Sequence, residues 1–196
     1  MPITEFLERN ARLYPNDVCL VEINPEIKED RRVTWKEYEL IEPSPKTSYR
    51  REITWSVFNE KANRFANLLL QRGIKKGDKV AILMMNGLEW LPIYFGVLKT
   101  GALAVPLNFR YSSDEIEYCV NLAEADVLVF SNPFIGRVEE IADRISKGRL
   151  LIYVGEGCPG FADDYNSLSA NCSSQSPAIP LFEDDDAAIY FSSGTT

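Results

Sequence analysis

The sequence predicts an α/β domain in which a parallel-rich sheet is flanked by helices. Apolar runs with the length of buried strands alternate along the chain with segments whose apolar residues recur at helical spacing. One run, residues 80–85, is apolar throughout, as strands covered on both faces of a parallel sheet are. Strands and helices that alternate in this way call for right-handed crossovers, with helices on both faces of the sheet.

The first 54 residues are predicted to form an N-terminal region of one helix and several strands. The helix covers residues 4–14, with Phe6 and Leu7 facing inward. The remaining features are, in order, a strand over residues 17–23, a strand over residues 32–41, a break at Pro43 and Pro45, and a strand that ends at Ile53 and Thr54.

This N-terminal region contains a short internal repeat. Residues 31–35 (Arg-Arg-Val-Thr-Trp) resemble residues 51–55 (Arg-Glu-Ile-Thr-Trp), and three of the five positions are identical. The repeat indicates either a hairpin of two paired strands with both Trp residues on one face, or a chance similarity.

Residues 55–154 are predicted to form the alternating core of the domain. The first helix is amphipathic and ends before Gly73, which is placed to cap its C-terminus. Pro92 lies in the first turns of the next helix, where a missing N–H costs least. After the first helix come a strand over 79–85, a helix over 88–100, a strand over 102–107, a helix from 112, a strand over 126–130, a helix over 134–146 and a strand over 150–154.

A long polar connection precedes the last predicted strand. Residues 155–186 are rich in Gly, Pro, Ser and Asp, and they are expected to run over the surface. For the acidic run at residues 183–186, a solvated loop is favoured over a metal site. Residues 187–191 return to a buried strand, and residues 187–196 together form that strand and the start of a phosphate loop.

Charge and hydropathy exclude two classes of function. A net charge of −8 argues against a nucleic-acid surface, which needs basic residues to displace counterions. The most apolar stretch, residues 88–107, is interrupted by charged residues, Gly and Pro, so no membrane span is predicted. The N-terminus lacks the basic and apolar regions of a signal peptide.

Histidine is absent, and cysteine is sparse. Without histidine, Ser-His-Asp catalysis, Cys-His catalysis and histidine-ligated metal sites are excluded for these 196 residues. The four cysteines form no Cys-x-x-Cys pair and are expected to be reduced structural thiols, which favours a cytoplasmic location.

The last ten residues carry the pattern with the most chemical content. An apolar strand runs into four small hydroxyl residues and one glycine, which are Ser192, Ser193, Gly194, Thr195 and Thr196. Small side chains let backbone N–H groups approach a phosphate, hydroxyls add donors or a magnesium ligand, and glycine permits the turn. The residues leave two interpretations open, a polyphosphate-binding loop of a non-Walker type and an ordinary Ser/Thr/Gly turn.

This pattern resembles the opening of the phosphate-loop signature of the adenylate-forming superfamily, which includes acyl-CoA synthetases, luciferases and peptide-synthetase adenylation domains. Residues 53–64, 73–82 and 98–108 resemble further family motifs in the same order and spacing. Val57 replaces the usual Glu, Thr100 replaces the usual Ala, and segment 24–50 is longer than the family's hairpin. The run at 106–110 (Pro-Leu-Asn-Phe-Arg) favours the acyl-CoA synthetase branch, although Asn108 and Arg110 themselves are expected to serve in capping and surface packing.

The resemblance implies the N-terminal part of the large domain of such an enzyme, a fragment that ends within its phosphate loop and is expected to be inactive alone. It also implies ATP, Mg²⁺ and coenzyme A, a small-molecule carboxylic acid as substrate, and ATP phosphates bound by residues 192–196. No catalytic acid, base or nucleophile is assigned. The open alternatives are an adenylating enzyme that loads a carrier-protein thiol and a non-catalytic nucleotide-binding module; pairing into a homodimer is a further expectation, because a truncated sheet edge exposes apolar surface.

Overall fold

The computed structural model describes residues 2–24, 34–36, 39–41, 49–145 and 147–192. Its helices are α1 (Ile3–Leu13), α2 (Trp55–Gln71), α3 (Trp90–Lys99), α4 (Ser113–Leu122), α5 (Ile135–Ile145) and α6 (Tyr165–Ala170), with a 3₁₀ turn at Asn132–Phe134. Its strands are β1 (Val18–Ile23), β2 (Thr34–Lys36), β3 (Glu39–Ile41), β4 (Arg50–Thr54), β5 (Lys79–Leu83), β6 (Leu103–Pro106), β7 (Val127–Ser131), β8 (Leu150–Val154) and β9 (Asp163–Asp164).

Five strands form a central sheet in the order β6-β5-β7-β8-β9, and every pair in it is parallel. Helices cover both of its faces. On one face, Phe65 of α2, Ile93 of α3 and Tyr165 of α6 join one buried cluster. On the other, Ile116 of α4 and Val138 of α5 join a second. The predicted parallel-rich α/β fold is confirmed, and the apolar runs of its central strands follow from burial on two faces.

Helix α2 begins and ends at residues suited to these positions. The Thr54 hydroxyl oxygen accepts a hydrogen bond from Val57 N at 3.4 Å and so caps the N-terminus. At the other end Gly73 adopts a φ of 88°, and the N–H groups of Gly73 and Ile74 donate to carbonyl oxygens of the last turn. A glycine takes this left-handed conformation without a Cβ penalty, so the predicted cap is confirmed.

Helix α1 confirms the predicted N-terminal helix but corrects its orientation. Leu7 is 1% exposed and packs beside Phe58 of α2, whereas Phe6 is 49% exposed. Neighbouring residues of a helix point in directions about 100° apart, so the two could not both face the same surface. The prediction that Phe6 faces inward is wrong.

The strands of the N-terminal region pair differently from the prediction. The single strand predicted over residues 32–41 is two short strands, β2 and β3, which pair with each other antiparallel. Strand β4 pairs antiparallel with β1 in a separate two-stranded sheet. The hairpin, one of the two explanations of the internal repeat, is not formed by the described residues, because β2 and β4 lie in separate two-stranded sheets; residues 31–33 of the repeat lie outside the described residues. The predicted break at Pro43 and Pro45 lies outside the described residues.

The connection over residues 155–186 is more structured than predicted. Strand β9 extends the sheet beside β8, and α6 packs into the core, with Tyr165 3% exposed and Cys172 4% exposed. The Asp164 carboxylate caps α6 by accepting from Ser167 N at 2.8 Å. A two-residue strand of aspartates carries no apolar run, which is why a surface loop was predicted here.

Candidate functional site

The residues that precede the predicted phosphate loop lie at the outer edge of the central sheet, beside β6. Ala104 N donates to Ala187 O at 3.0 Å, and Ile189 N donates to Ala104 O at 2.9 Å. The resulting bridge between Ala104 and Ala188 is parallel. This segment therefore runs in the same direction as the five strands.

The buried strand predicted over residues 187–191 is reduced to this one bridge. Tyr190 is 68% exposed, whereas Ala188, Ile189 and Phe191 are half-buried. The side chains still alternate as in a strand: Ala188 borders the cluster under α2 and α3, whereas Ile189 and Phe191 border the cluster under α4 and α5. The segment thus keeps strand geometry but is not buried.

This geometry gives a direction to the residues that follow. A chain that runs parallel to β6 leaves the sheet at the carboxyl ends of the strands, where ligands of parallel sheets bind. Ser192, the first predicted site residue, is exposed there. Ser193, Gly194, Thr195 and Thr196 lie outside the described residues, so their contact with phosphate stays a prediction.

The loop after β6 is the nearest neighbour of this tail along the sheet. Asn108 Oδ1 accepts from Arg110 N at 2.9 Å, which is the local capping role expected of Asn108. Arg137 of α5 donates through Nη1 to Phe109 O at 2.8 Å and to Tyr111 O at 2.9 Å. Arg137 therefore ties the loop to α5, and no sequence pattern indicated this contact.

The strand order reverses at β5, since the chain passes to β6 on one side and to β7 on the other. Such a reversal opens a crevice at the carboxyl ends of an open parallel sheet. The loop after β5 is anchored by Glu22 of β1, which accepts from Leu88 N at 3.0 Å and from Arg51 Nη2 at 2.8 Å. A cavity of about 290 Å³ lies between β1 and this loop.

The Glu22 carboxylate stays ionised in this position. Burial raises the pKa of Glu22, but the hydrogen bonds from Arg51 and Leu88 outweigh it and leave the pKa below its ordinary value. Glu22 therefore acts as a fixed acceptor that holds the β5 loop. It was not singled out from the sequence, because its partners are distant in the chain.

Aromatic side chains border the tail on the face covered by α3. Trp90 and Tyr94 stack with their ring centroids 5.3 Å apart and an interplanar angle of 12°. The hydroxyl oxygens of Tyr94 and Tyr190 lie 3.0 Å apart. Burial and this hydrogen bond raise the pKa of Tyr94 above its ordinary value. The spacing of Trp90 and Tyr94, one helical turn apart, was the signal available in the sequence.

The helix motif at residues 62–64 holds the connection that leads to the tail. Asn63 Nδ2 donates to Ser174 O at 2.8 Å. Arg64 Nη1 donates to Ala170 O at 3.1 Å and to Cys172 O at 2.7 Å. These side chains supply partners to backbone carbonyls that have none in a helix or strand, so this part of the resemblance has a structural role.

The acidic run forms an exposed turn, as predicted. Asp185 Oδ2 accepts from Phe182 N at 2.8 Å and pairs with Lys76 Nζ at 2.5 Å. The other three carboxylates of residues 183–186 are exposed. Among the described residues, no group of three or more His, Cys, Asp or Glu side chains is arranged to hold a metal ion.

A parallel sheet covered by helices on both faces, with an edge segment that runs parallel to β6 and ends at Ser192 in the described residues, has the architecture of α/β domains that bind ligands at the carboxyl ends of their strands. Residues 43–196 match the AMP-binding enzyme family, and the chain belongs to this family. Two curated relatives are a long-chain-fatty-acid–CoA ligase, FadD13, from Mycobacterium tuberculosis (31% identical over 153 residues, 78% of this chain and 29% of that protein) and a crotonobetaine/carnitine–CoA ligase from Citrobacter koseri (35% identical over 154 residues, 74% of this chain and 29% of that protein).

Solved structures share the fold. The anthranilate CoA ligase AuaEII in complex with anthranoyl-AMP superposes with a TM-score of 0.81 over 100% of this chain and 33% of that chain, at 24% identity. A fatty acyl CoA synthetase of Mycobacterium tuberculosis gives 0.70 over 97% of this chain and 32% of that chain, at 23% identity. The chain thus spans about a third of the length of these relatives. None of the helices described is long and apolar enough to cross a bilayer.

Proposed function

We propose that this chain forms the ATP-phosphate-binding part of a carboxylate–CoA ligase. The observation that supports the proposal is the parallel bridge between Ala104 and Ala188, which runs the chain alongside β6 toward the carboxyl ends of the strands as far as Ser192, the first residue of the phosphate-loop motif. Family membership and relatives named as CoA ligases support the choice of reaction.

The reaction has two half-reactions. A carboxylate oxygen of the acid attacks the α-phosphorus of ATP, the bond to pyrophosphate breaks, and an acyl-adenylate forms. The thiol sulfur of coenzyme A then attacks the acyl carbonyl carbon, AMP leaves with the electron pair of the broken bond, and the thiol proton is released.

Positioning and charge stabilisation dominate such chemistry, because the attacking carboxylate and the triphosphate are both negative. In the proposal, backbone N–H groups and hydroxyls of Ser192, Ser193, Gly194, Thr195 and Thr196 hold the β- and γ-phosphates. A bound Mg²⁺ would neutralise part of the phosphate charge. The substrate is a small-molecule carboxylic acid, and a cytoplasmic location suits the four free cysteines.

The decisive measurement is carboxylate-dependent pyrophosphate release by the protein expressed from its natural start codon to its natural stop codon. The first panel of substrates contains long-chain fatty acids, carnitine-type acids and anthranilate, which are chosen from the names of the similar proteins described above. Gly194→Val should raise KM for ATP at least about tenfold, because a branched side chain blocks close approach of the backbone to phosphate. Gly136→Ala, at an open position on α5, is the control. Failure to release pyrophosphate and to bind ATP would contradict the proposal.

The identity of the acyl acceptor is settled by the product. A free acyl-CoA thioester, formed when coenzyme A is added, is the expected outcome. An acyl-adenylate that persists with coenzyme A and is consumed by a carrier-protein thiol would instead identify an enzyme that loads carrier proteins.

A further inference from the structure

The hydrogen bond between Tyr94 and Tyr190 joins helix α3 to the start of the predicted phosphate loop. The two hydroxyl oxygens are 3.0 Å apart, although the Tyr190 ring is 68% exposed. Tyr94 is held from two sides, by stacking on Trp90 at 5.3 Å and by an edge contact with Phe95 at 6.3 Å. A fixed Tyr94 therefore restrains a Tyr190 that would otherwise be free to change rotamer.

The Tyr94–Tyr190 bond lies immediately before the residues proposed to bind phosphate. Ile189 makes the last backbone hydrogen bond to β6 that is found in the described part of the tail. Tyr190 follows it directly, and Ser192 comes two residues later. Within the described residues, the Tyr94–Tyr190 bond to helix α3 is therefore the last hydrogen bond that holds the chain before the loop proposed to bind phosphate.

We propose that Tyr94 is a positioning residue for ATP, whose hydroxyl fixes Tyr190 and thereby the direction in which the chain leaves the sheet at Ser192. The inference rests on the proposed function and extends it to a residue on α3 that lies outside the phosphate-loop motif. In this role Tyr94 contacts Tyr190 and not the nucleotide. Loss of its hydroxyl should weaken ATP binding while the rate at saturating ATP is retained.

The test compares Tyr94→Phe, Tyr190→Phe and the double variant in the protein expressed from its natural start codon to its natural stop codon. Removal of one hydrogen bond of ordinary strength predicts a rise of about 3–10-fold in KM for ATP. The values of kcat and of KM for the acid should stay within about twofold. The double variant should match either single variant, because both remove the same bond. Tyr118→Phe, on the exposed face of α4, is the matched control and should change nothing.

Other outcomes overturn the inference. An unchanged KM for ATP in both single variants would show that the bond does not position the loop, and additive effects would show that the two hydroxyls act separately. Parallel losses in kcat, both KM values and melting temperature would assign Tyr94 a merely structural role. An inactive parent protein that does not bind ATP would instead defeat the proposed function itself, so the two failures are distinguishable.

Discussion

The buried ammonium group of Lys99 makes helix α1 part of the folded domain. The Lys99 side chain is 1% exposed, and its Nζ lies 2.5 Å from Glu8 Oε1, which also accepts from Ser176 Oγ. Burial lowers the pKa of Lys99, and the Glu8 carboxylate opposes that shift. Burial raises the pKa of Glu8, but hydrogen bonds from Lys99 and Ser176 leave it below its ordinary value of 4.5. The Glu8 carboxylate is therefore ionised at neutral pH and lies in direct contact with the Lys99 amine.

Glu8→Gln should destabilise the protein at pH 7 by about 1–2 kcal/mol. It leaves a buried ammonium without a carboxylate, and the loss is discounted because Glu8 is partly exposed. Urea unfolding measures the effect. Lys99→Met is the matched control and should cost less, since a hydrophobic side chain of similar length leaves no buried charge. A larger loss for Lys99→Met would contradict this account.

The difference in stability between the parent protein and Glu8→Gln should depend on pH in the acid range. The pKa of Glu8 in the folded state lies below 4.5, so its carboxylate contributes fully above that pH. The contribution is lost as the pH falls through the folded-state pKa. Unfolding curves measured between pH 7 and pH 3 should therefore converge at the acid end; a constant difference would count against the ion pair.

Gly96 is required for the close approach of α3 to α2. A Cβ at this position would lie 2.9 Å from Ala62 O and 2.9 Å from Phe65 Cδ1. The backbone oxygen cannot move aside, so Gly96→Ala should destabilise the protein by about 1–3 kcal/mol. Gly136→Ala, where nothing lies within 4 Å, should instead be neutral or stabilising by up to about 1 kcal/mol. Equal unfolding midpoints for the two variants would refute the close contact.

Helix α2 lacks half of an N-terminal capping box that helix α4 has complete. At α4, the Ser112 hydroxyl accepts from Glu115 N, and the Glu115 carboxylate accepts from Ser112 N at 2.8 Å. At α2, Thr54 plays the part of Ser112, but Val57 stands where the glutamate belongs and is 38% exposed. Val57 thus leaves α2 without the glutamate half of a capping box, whereas the N–H groups of Trp55 and Ser56 donate to Asp17 O and Pro15 O, each at 3.1 Å.

Val57→Glu should stabilise the protein by about 0.3–1 kcal/mol, because the new carboxylate lies in the first turn of α2, at the positive end of the helix. Lys61, one turn further along, already pairs with Glu89 at 2.7 Å, so no further gain from it is included. Thermal unfolding measures the gain, and Glu115→Val at α4 is the mirror variant that should lower the melting temperature. A Val57→Glu variant less stable than the parent would contradict the assignment.

The elements that were predicted correctly are those whose burial is visible as a pattern. Strand β7 is buried from Val127 to Phe130, and such a run has few other uses in a soluble domain. Strand β9 escaped prediction because its two aspartates carry no apolar signal, and the adjoining six-residue helix α6 was missed with it. The spacing of Tyr165, Leu168 and Cys172 in and after α6 was the sign that residues 155–186 also contribute to the core. Strand partners, as for β1 and β4, depend on distant contacts that no local pattern encodes.

The residues of the candidate site also fall into two groups, those that a local sequence pattern reveals and those that it does not. The hydroxyl-rich residues from Ser192 onward are recognisable because their chemistry is local and contiguous. Arg137 and Glu22 were not, because each acts on a loop 26 or more residues away, measured to Tyr111 and Leu88 respectively. Tyr94 shows only its helical spacing from Trp90, and its partner Tyr190 is 96 residues away. Such contacts arise from the order of strands in the sheet, which brings the ends of β5, β6 and the tail together.

The loops at the two ends of the parallel strands should therefore respond differently to bound nucleotide. Hydrogen exchange with and without Mg²⁺ and ATP measures this in the protein expressed from its natural start codon to its natural stop codon. Bound phosphates should slow hydrogen exchange in the loops at the carboxyl ends of the strands, because the ligand blocks local opening there. This slowing should exceed any that the entire fold shows on binding ligand. The loops expected to be protected are residues 84–87, 107–111 and 189–196.

The matched control is the set of turns at the amino ends of the same strands. These turns share the stability of the sheet but are not expected to contact the nucleotide. Turns at the amino ends of β5, β6 and β7, residues 75–78, 100–102 and 124–126, should show only the shared slowing. Strands β5 and β6 run from the amino-end turns to the carboxyl-end loops. A difference in exchange protection between the two sets therefore cannot come from tighter packing of these strands. Stronger protection of the amino-end turns would place the nucleotide at the amino ends of the strands. That result would remove the basis for a phosphate loop at residues 192–196.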